Sequence, residues 1–102
     1  MIHVVAVVTA RAGQRVALLA AFHANVPAVH AEDGCIEYGP VIDVPDAGPI
    51  QTPLGEDTFM VIEKWASADA LRAHAGSPHM LAYGARTKDM IASRVIHVLA
   101  AA

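Results

Sequence analysis

One short stretch, residues 63–80 (EKWASADALRAHAGSPHM), holds the only tryptophan of the chain and two of its six histidines. Histidine takes up and releases a proton near neutral pH, and an indole offers a flat apolar surface with one N–H donor. His74 follows Leu71 by three residues, so both lie on one helix face, which should turn toward the strand end that carries Trp65. The stretch is therefore a candidate site for proton transfer beside a planar ligand.

Other polar side chains could take part in that chemistry. Tyr38 and Tyr83 are the only phenols of the chain, and each could donate to an anionic oxygen or relay a proton. His79 precedes Tyr83 by four residues and so lies on the same side of its helix. Glu63 shares a strand face with Trp65, and a buried carboxylate there would need a partner such as an Arg or His. Each of these residues could instead have a purely structural role. Trp65 and the two tyrosines could fill the core, His74 could stabilise a helix end, His79 could be structural or interfacial, and Glu63 could be a buried acid with its hydrogen bonds satisfied.

The remaining histidines and the cysteine lack the spacing of a metal site. His23 and His30 lie seven residues apart with no acid beside them, and Cys35 is the single cysteine. We therefore predict no metal centre and treat Cys35 as a small, half-buried hydrophobic residue. His3 and His97 fall in the first and last strands, where they could meet across the sheet as packing residues.

The apolar pattern predicts the elements that must position these side chains. Ser67 and Ser77 are natural helix N-caps, and Gly76 lies just past the end of the first helix of the pair, so the second helical region is broken in two. Residues 45–56 form a loop that is long for a compact domain and is a candidate lid or interface loop. Strands are predicted at 2–9, 35–44, 57–65 and 93–99, and helices at 14–31, at 68–75 and from Ser77 onward.

The order β-α-β-β-α-β is the ferredoxin-like α+β arrangement, in which helices cover one face of a four-stranded antiparallel sheet. The first strand, IHVVAVVT, is apolar on both alternating sets, and 55% of the chain is hydrophobic. The sheet face without helices must therefore be buried, and a second copy of the chain is the simplest cover. We predict one domain over residues 1–102 that forms a homodimeric α/β barrel with room for a small aromatic ligand.

Charge and hydropathy exclude other classes of protein. Seven Lys and Arg against ten Asp and Glu give a formal net charge of -3, so no basic surface is available to neutralise nucleic-acid phosphates. No apolar run approaches the roughly 18 residues of a membrane-spanning helix, and the amino end lacks the pattern of a signal peptide. With a single thiol, the chain is expected to be cytoplasmic, without nucleic acid or membrane partners.

The chain resembles the antibiotic biosynthesis monooxygenase family of dimeric αβ-barrel proteins, and within it the quinol monooxygenase branch. The resemblance runs over nearly the whole chain and rests on residues 32–43 (EDGCIEYGPVID) and 62–83 (IEKWASADALRAHAGSPHMLAY). In the second motif the Trp, the helix, the His and the S-P-H-M restart occur in the family's order. The resemblance implies oxidation of hydroquinones, phenols or polycyclic aromatics by O₂, without flavin, haem or metal.

The resemblance also implies roles for individual residues. A deprotonated aromatic can pass one electron to O₂, so the protein must supply a base, donors for the anion and a space without bulk water. His74 would receive or relay the hydroxyl proton, Trp65 would form an apolar wall for a flat substrate, and Tyr38 would complete the catalytic group. Substrate contacts would come from Phe59, Glu63, His79, Met80 and Tyr83.

Three other functions remain open from the sequence. Haem-degrading members of the family typically carry an Asn in the first strand and a His in the third helix, whereas here the first strand has no Asn and the positions after Tyr83 are Gly84 and Thr87. Haem degradation is therefore disfavoured. A non-catalytic dimer that binds a small aromatic, or a cofactor-free isomerase or lyase, would fit the same fold.

Overall fold

Strands and helices follow one another along the chain in the predicted order. The computed structural model describes residues 1–102. The elements are β1 (Ile2–Ala10), α1 (Arg15–His30), β2 (Cys35–Val41), β3 (Thr58–Trp65), α2 (Ala68–Ala75), α3 (Pro78–Thr87) and β4 (Ile91–Leu99), with a 3-10 turn at Lys88–Met90. The strands form one antiparallel sheet in the order β2-β3-β1-β4, which confirms the ferredoxin-like fold. None of the helices combines the length and the hydropathy needed to cross a membrane.

Two predicted strand limits are wrong. β2 ends at Val41, three residues before the predicted end, and β4 begins at Ile91, two residues before the predicted start. After β2, the carboxylate of Asp43 accepts hydrogen bonds from the backbone N–H groups of Leu54 and Gly55, at 2.8 and 3.0 Å. These bonds fold the chain back on itself, so residues after Val41 enter the loop instead of extending the strand pairing.

The helix-facing side of the sheet forms the core. Because side chains alternate along a strand, every second residue of β1 and β3 points to the helices. Phe22 of α1 stacks on Tyr38 of β2, with ring centroids 5.2 Å apart and planes within 7° of parallel. The buried residues of β1 and β3 on this side are Val4, Ala6, Val8, Ala10, Phe59, Val61, Glu63 and Trp65.

The opposite side of the sheet carries apolar residues and no helix. Val41, Val95 and Leu99 lie on this open face, and each is between 44% and 51% exposed. An uncovered patch of this kind on a sheet is typical of an interaction surface.

The register of β1 and β4 separates two histidines of the open face. His3 lies opposite Leu99, and His97 lies opposite Val5. His3 and His97 are therefore not directly opposite each other but lie diagonally on neighbouring strands of the open face.

The break between α2 and α3 follows the predicted capping residues. The Ser67 hydroxyl caps α2, the Ser77 hydroxyl caps α3, and Pro78 occupies the first turn of α3. His74 therefore lies at the end of α2 and His79 in the first turn of α3. The break brings the two imidazoles to the same place.

Candidate active site

A cavity of about 500 Å³ lies between the helices and the sheet. Most of the residues that line it are apolar, and at Gly84 of α3 bare backbone faces the space. Leu81, Ile96 and Val98 line the cavity and are each more than half exposed, so the mouth lies between α3 and β4. The size and the apolar walls suit a small aromatic molecule.

Four buried polar side chains reach this apolar space: Tyr38, Glu63, His74 and Tyr83. No buried side-chain nitrogen or oxygen of the protein lacks a hydrogen-bond partner. The Nε2 atom of His74 and the Tyr38 hydroxyl make no hydrogen bond within the chain, so both atoms keep some accessible surface, and both residues line the cavity. They are available to a bound ligand.

His74 is held in place from two sides. Its Nδ1 atom lies 2.8 Å from Oε2 of Glu32. Because a carboxylate only accepts hydrogen bonds, Nδ1 carries the donated proton, and in the neutral form of the ring the lone pair is on Nε2. The centroids of the His74 and Trp65 rings are 4.5 Å apart, which confirms the predicted contact between them.

Glu32 is absent from the predicted site residues, although it connects two of them. One of its oxygens, Oε2, accepts hydrogen bonds from His74 Nδ1 and from His79 Nε2, the second at 3.0 Å. The turn that presents Glu32 needs glycine at position 34, where φ is +83° and an added Cβ would stand 2.7 Å from the Cβ of Ala70 in α2. Glu32 and His74 are 42 residues apart, so no spacing in the sequence connects them.

Glu63 has a different partner from the predicted Arg or His. Its Oε1 atom accepts the indole N–H of Trp65 at 2.9 Å. Burial raises the pKa of the Glu63 carboxyl, and the indole N–H opposes that shift. The cavity wall therefore contains a carboxyl group that is easier to protonate than an exposed glutamate.

Burial also raises the pKa of three other side chains. The Tyr38 pKa rises well above its usual range because the phenol is desolvated and lies near the Glu63 carboxylate. Desolvation has the same direction of effect on Tyr83. Both tyrosines therefore keep their protons and act as donors. The Cys35 thiol is half-buried with a raised pKa, as expected of a packing residue and not of a nucleophile.

Known proteins are similar to this chain in both sequence and fold. Residues 1–86 match the family described as antibiotic biosynthesis monooxygenase. The chain belongs to this family. It is 37% identical over 101 residues to the probable quinol monooxygenase YgiN of Escherichia coli K12, and the alignment covers 97% of this chain and 96% of that protein. The predicted resemblance is therefore confirmed.

Solved structures with the same fold cover nearly the whole chain. The crystal structure of PA3566 from Pseudomonas aeruginosa has a TM-score of 0.81 and 26% identity, and the match covers 99% of this chain and 93% of that one. The structure of Rv0793 from Mycobacterium tuberculosis has a TM-score of 0.80 and 28% identity, with 99% and 94% covered. Both similarities extend over the whole fold, including the elements around the cavity.

In this family member, most of the predicted site residues lie together, and two do not reach the cavity. Trp65 is fully buried behind His74 and Glu63, so the prediction that it forms a wall of the ligand space is wrong. His79 turns toward Glu32 and the Ser77 hydroxyl instead of the cavity. The predicted residues that line the cavity are Tyr38, Phe59, Glu63, His74, Met80 and Tyr83.

The structure also adds residues that the sequence did not indicate. Arg94, Ile96 and Val98 of β4 line one side of the cavity because β4 pairs with β1 in a register that turns them toward the helices. The predicted lid, residues 45–56, contributes no side chain to the cavity. Access is therefore set by α3 and β4 and not by that loop.

Proposed function

We propose that the protein is a cofactor-independent monooxygenase or oxidase that acts with O₂ on hydroquinones, phenols or related polycyclic aromatics. One observation carries the proposal: the unpaired Nε2 atom of buried His74 opens into an apolar cavity while Glu32 holds its Nδ1 atom. Membership of the monooxygenase family and the similarity to YgiN, named a probable quinol monooxygenase, support the same class of reaction.

The reaction begins with a proton transfer to His74. A hydroquinone in the cavity gives one hydroxyl proton to Nε2, and Glu32 stabilises the imidazolium that forms. The aromatic anion then transfers one electron to O₂. Transfer of a second electron and the second proton, with return of the first proton from His74, yields quinone and hydrogen peroxide. Recombination at a ring carbon that bears hydrogen instead gives a hydroperoxide, which takes up the proton held by His74 and then loses water as its O–O bond breaks, so that one oxygen atom stays in the product as a carbonyl. The substrate supplies the electrons, so the scheme needs no flavin, haem or metal.

Two neutral phenols and one acid surround the reacting oxygens. Tyr38 and Tyr83 donate hydrogen bonds to the developing anion, and the low polarity of the walls strengthens these bonds. Glu63 lies near Tyr38 and accepts the hydrogen bond of the second hydroxyl. Phe59 and Met80 provide apolar contact to the rings.

We also propose that the active form is a cytoplasmic homodimer, with no nucleic acid or membrane partner. A second copy would cover the open face, on which Val41, Val95 and Leu99 are exposed. Burial of such side chains contributes roughly 25 cal/mol per Å² of apolar surface.

Oxygen uptake with a reduced naphthoquinone tests the proposal. The protein is first treated with a chelator and checked by absorbance for flavin and haem. We expect it to accelerate O₂ consumption, and we expect His74→Ala to lower the rate by about 10²–10⁴-fold, the usual contribution of a general base. His23→Ala is the matched control, because His23 is exposed on α1 and does not line the cavity.

Three results would contradict the proposal. Quinol binding without faster O₂ consumption would favour the non-catalytic binding dimer. Turnover under strict anaerobiosis would favour an isomerase or lyase. A tight 1:1 complex with haemin, seen as a shifted Soret band, would favour haem degradation.

A further inference from the structure

Three potential metal ligands meet behind the cavity wall. The Nδ1 atom of His74, the Nε2 atom of His79 and a carboxylate oxygen of Glu32 all lie within 4.8 Å of one another. We call these three residues the Glu32 cluster. They come from the turn after α1, the end of α2 and the first turn of α3, and the two capped helix ends fix the spacing of the imidazoles.

The chemistry of the Glu32 cluster is that of a transition-metal site. Two imidazoles and one carboxylate are a common ligand set for Zn²⁺ and similar cations. Bonds of about 2.0–2.2 Å to a tetrahedral Zn²⁺ place neighbouring ligand atoms roughly 3.3–3.6 Å apart. The carboxylate oxygen already lies 2.8 and 3.0 Å from the two nitrogens. Small side-chain movements would therefore admit a cation in place of the two donated protons.

The charge of the Glu32 cluster and its exposure to solvent also favour the binding of a cation. Oε2 of Glu32 pairs with the two imidazoles, and no lysine or arginine forms a salt bridge with this carboxylate. With neutral imidazoles, the cluster therefore carries one uncompensated negative charge. The His79 side chain is 28% exposed while that of His74 is 6% exposed, so a cation can enter from the His79 side without passing through the cavity.

We propose that the Glu32 cluster binds one divalent transition-metal cation of the Zn²⁺ type, with water in the fourth position. A neutral imidazole has one N–H, so a cation on Nδ1 of His74 forces the proton onto Nε2. The lone pair that faces the cavity is then lost. This consequence rests on the proposed function: a protein loaded with the cation would be inactive as a quinol oxidase.

Cation binding can be measured without any enzyme assay. Untagged, chelator-treated protein is titrated with Co²⁺, whose visible absorption reports coordination by nitrogen and oxygen ligands, and Zn²⁺ is then added to displace it. We expect one equivalent of Co²⁺ per chain. Glu32→Gln and His79→Gln should each weaken binding by about 100-fold or more, since even changes outside the ligand set cost 10–100-fold. His23→Gln, a matched change at an exposed histidine, should bind as the wild type does.

The outcomes separate the two proposals. Absence of a saturable Co²⁺ spectrum, or equal Co²⁺ affinity in wild type and His79→Gln, would overturn the cation site. His79→Gln changes a partly exposed side chain, and circular dichroism verifies its fold, so the test does not depend on Glu32→Gln remaining folded. If Zn²⁺ binds but oxygen uptake continues, the inhibitory consequence is wrong and the site stands. If no variant or wild type consumes oxygen, the proposed function fails, and the Co²⁺ titration still decides the site.

Discussion

Gly34 determines whether the turn that carries Glu32 can pack against α2. Its φ of +83° lies in the left-handed region, and an added Cβ would stand 2.7 Å from the Cβ of Ala70. Two carbon atoms in van der Waals contact lie about 3.5–4.0 Å apart. Gly34→Ala must therefore strain the backbone of the turn and also push the turn away from α2.

The magnitude is the sum of two contributions. A left-handed conformation costs a residue with a Cβ about 1–2 kcal/mol, and overpacking of a well-packed contact costs about 1–3 kcal/mol. We therefore expect Gly34→Ala to lower the free energy of unfolding by about 2–5 kcal/mol. That is a large fraction of the roughly 5–15 kcal/mol that stabilises a typical domain.

Gly13→Ala is the matched control for the backbone contribution. Gly13 has a φ of +76°, but nothing lies within 4 Å of its added Cβ. Its substitution should cost about 1–2 kcal/mol, the left-handed contribution alone. In the Gly34→Ala background, Ala70→Gly removes the clashing Cβ. It should therefore recover the free energy of unfolding that overpacking cost, less about 1 kcal/mol for glycine inside a helix.

Urea unfolding, followed by circular dichroism and Trp65 fluorescence, measures these differences. All variants are compared at one protein concentration, since the stability of the proposed dimer would depend on concentration. Equal losses for Gly34→Ala and Gly13→Ala, or an equal effect of Ala70→Gly in the wild-type and Gly34→Ala backgrounds, would refute the close approach of the turn to α2. Oxygen uptake of Gly34→Ala should also fall, because displacement of the turn withdraws Glu32 from His74.

Three further predictions concern pH and assembly. The loop N–H groups that bond to the Asp43 carboxylate lower its pKa, so its contribution to stability is present above the ordinary aspartate pKa and is lost as pH falls through the lowered value. Melting curves of Asp43→Asn and wild type should therefore differ near neutral pH and converge in acid. Burial raises the pKa of Glu63, so wild type should lose stability as pH rises from the ordinary glutamate pKa toward the raised value; Glu63→Gln should abolish this slope in urea unfolding across pH. Val95→Asp on the open face should yield monomers in analytical ultracentrifugation, while Val16→Asp on exposed α1 should not; a dimeric Val95→Asp would place the interface elsewhere.

Local signals in the sequence were sufficient for the fold and for one contact of the site. Ser67 and Ser77 cap their helices as predicted because capping depends on residues three positions away. The three-residue spacing of Leu71 and His74 likewise fixed a helix face, and that face meets Trp65. Such short-range rules gave the direction of a side chain well.

Depth and long-range partners could not be predicted in this way. Strand alternation placed Trp65 on one face with Glu63, but it could not show that the indole would be fully buried and would not line the cavity. Glu32 contacts His74 from a turn that packs closely against Ala70 at Gly34. That contact depends on the tertiary arrangement of three elements, and no periodicity in the chain encodes it.

The bare backbone at Gly84 makes this site a convenient starting point for redesign. Nothing lies within 4 Å of a Cβ added there, and the position faces the ligand space. Because alanine is favoured over glycine inside a helix by about 1 kcal/mol, Gly84→Ala should not impair folding. A graded series of Ala, Val and Leu at this one position would shrink the chamber stepwise, and the size of the largest accepted ring system would become an adjustable property of the scaffold.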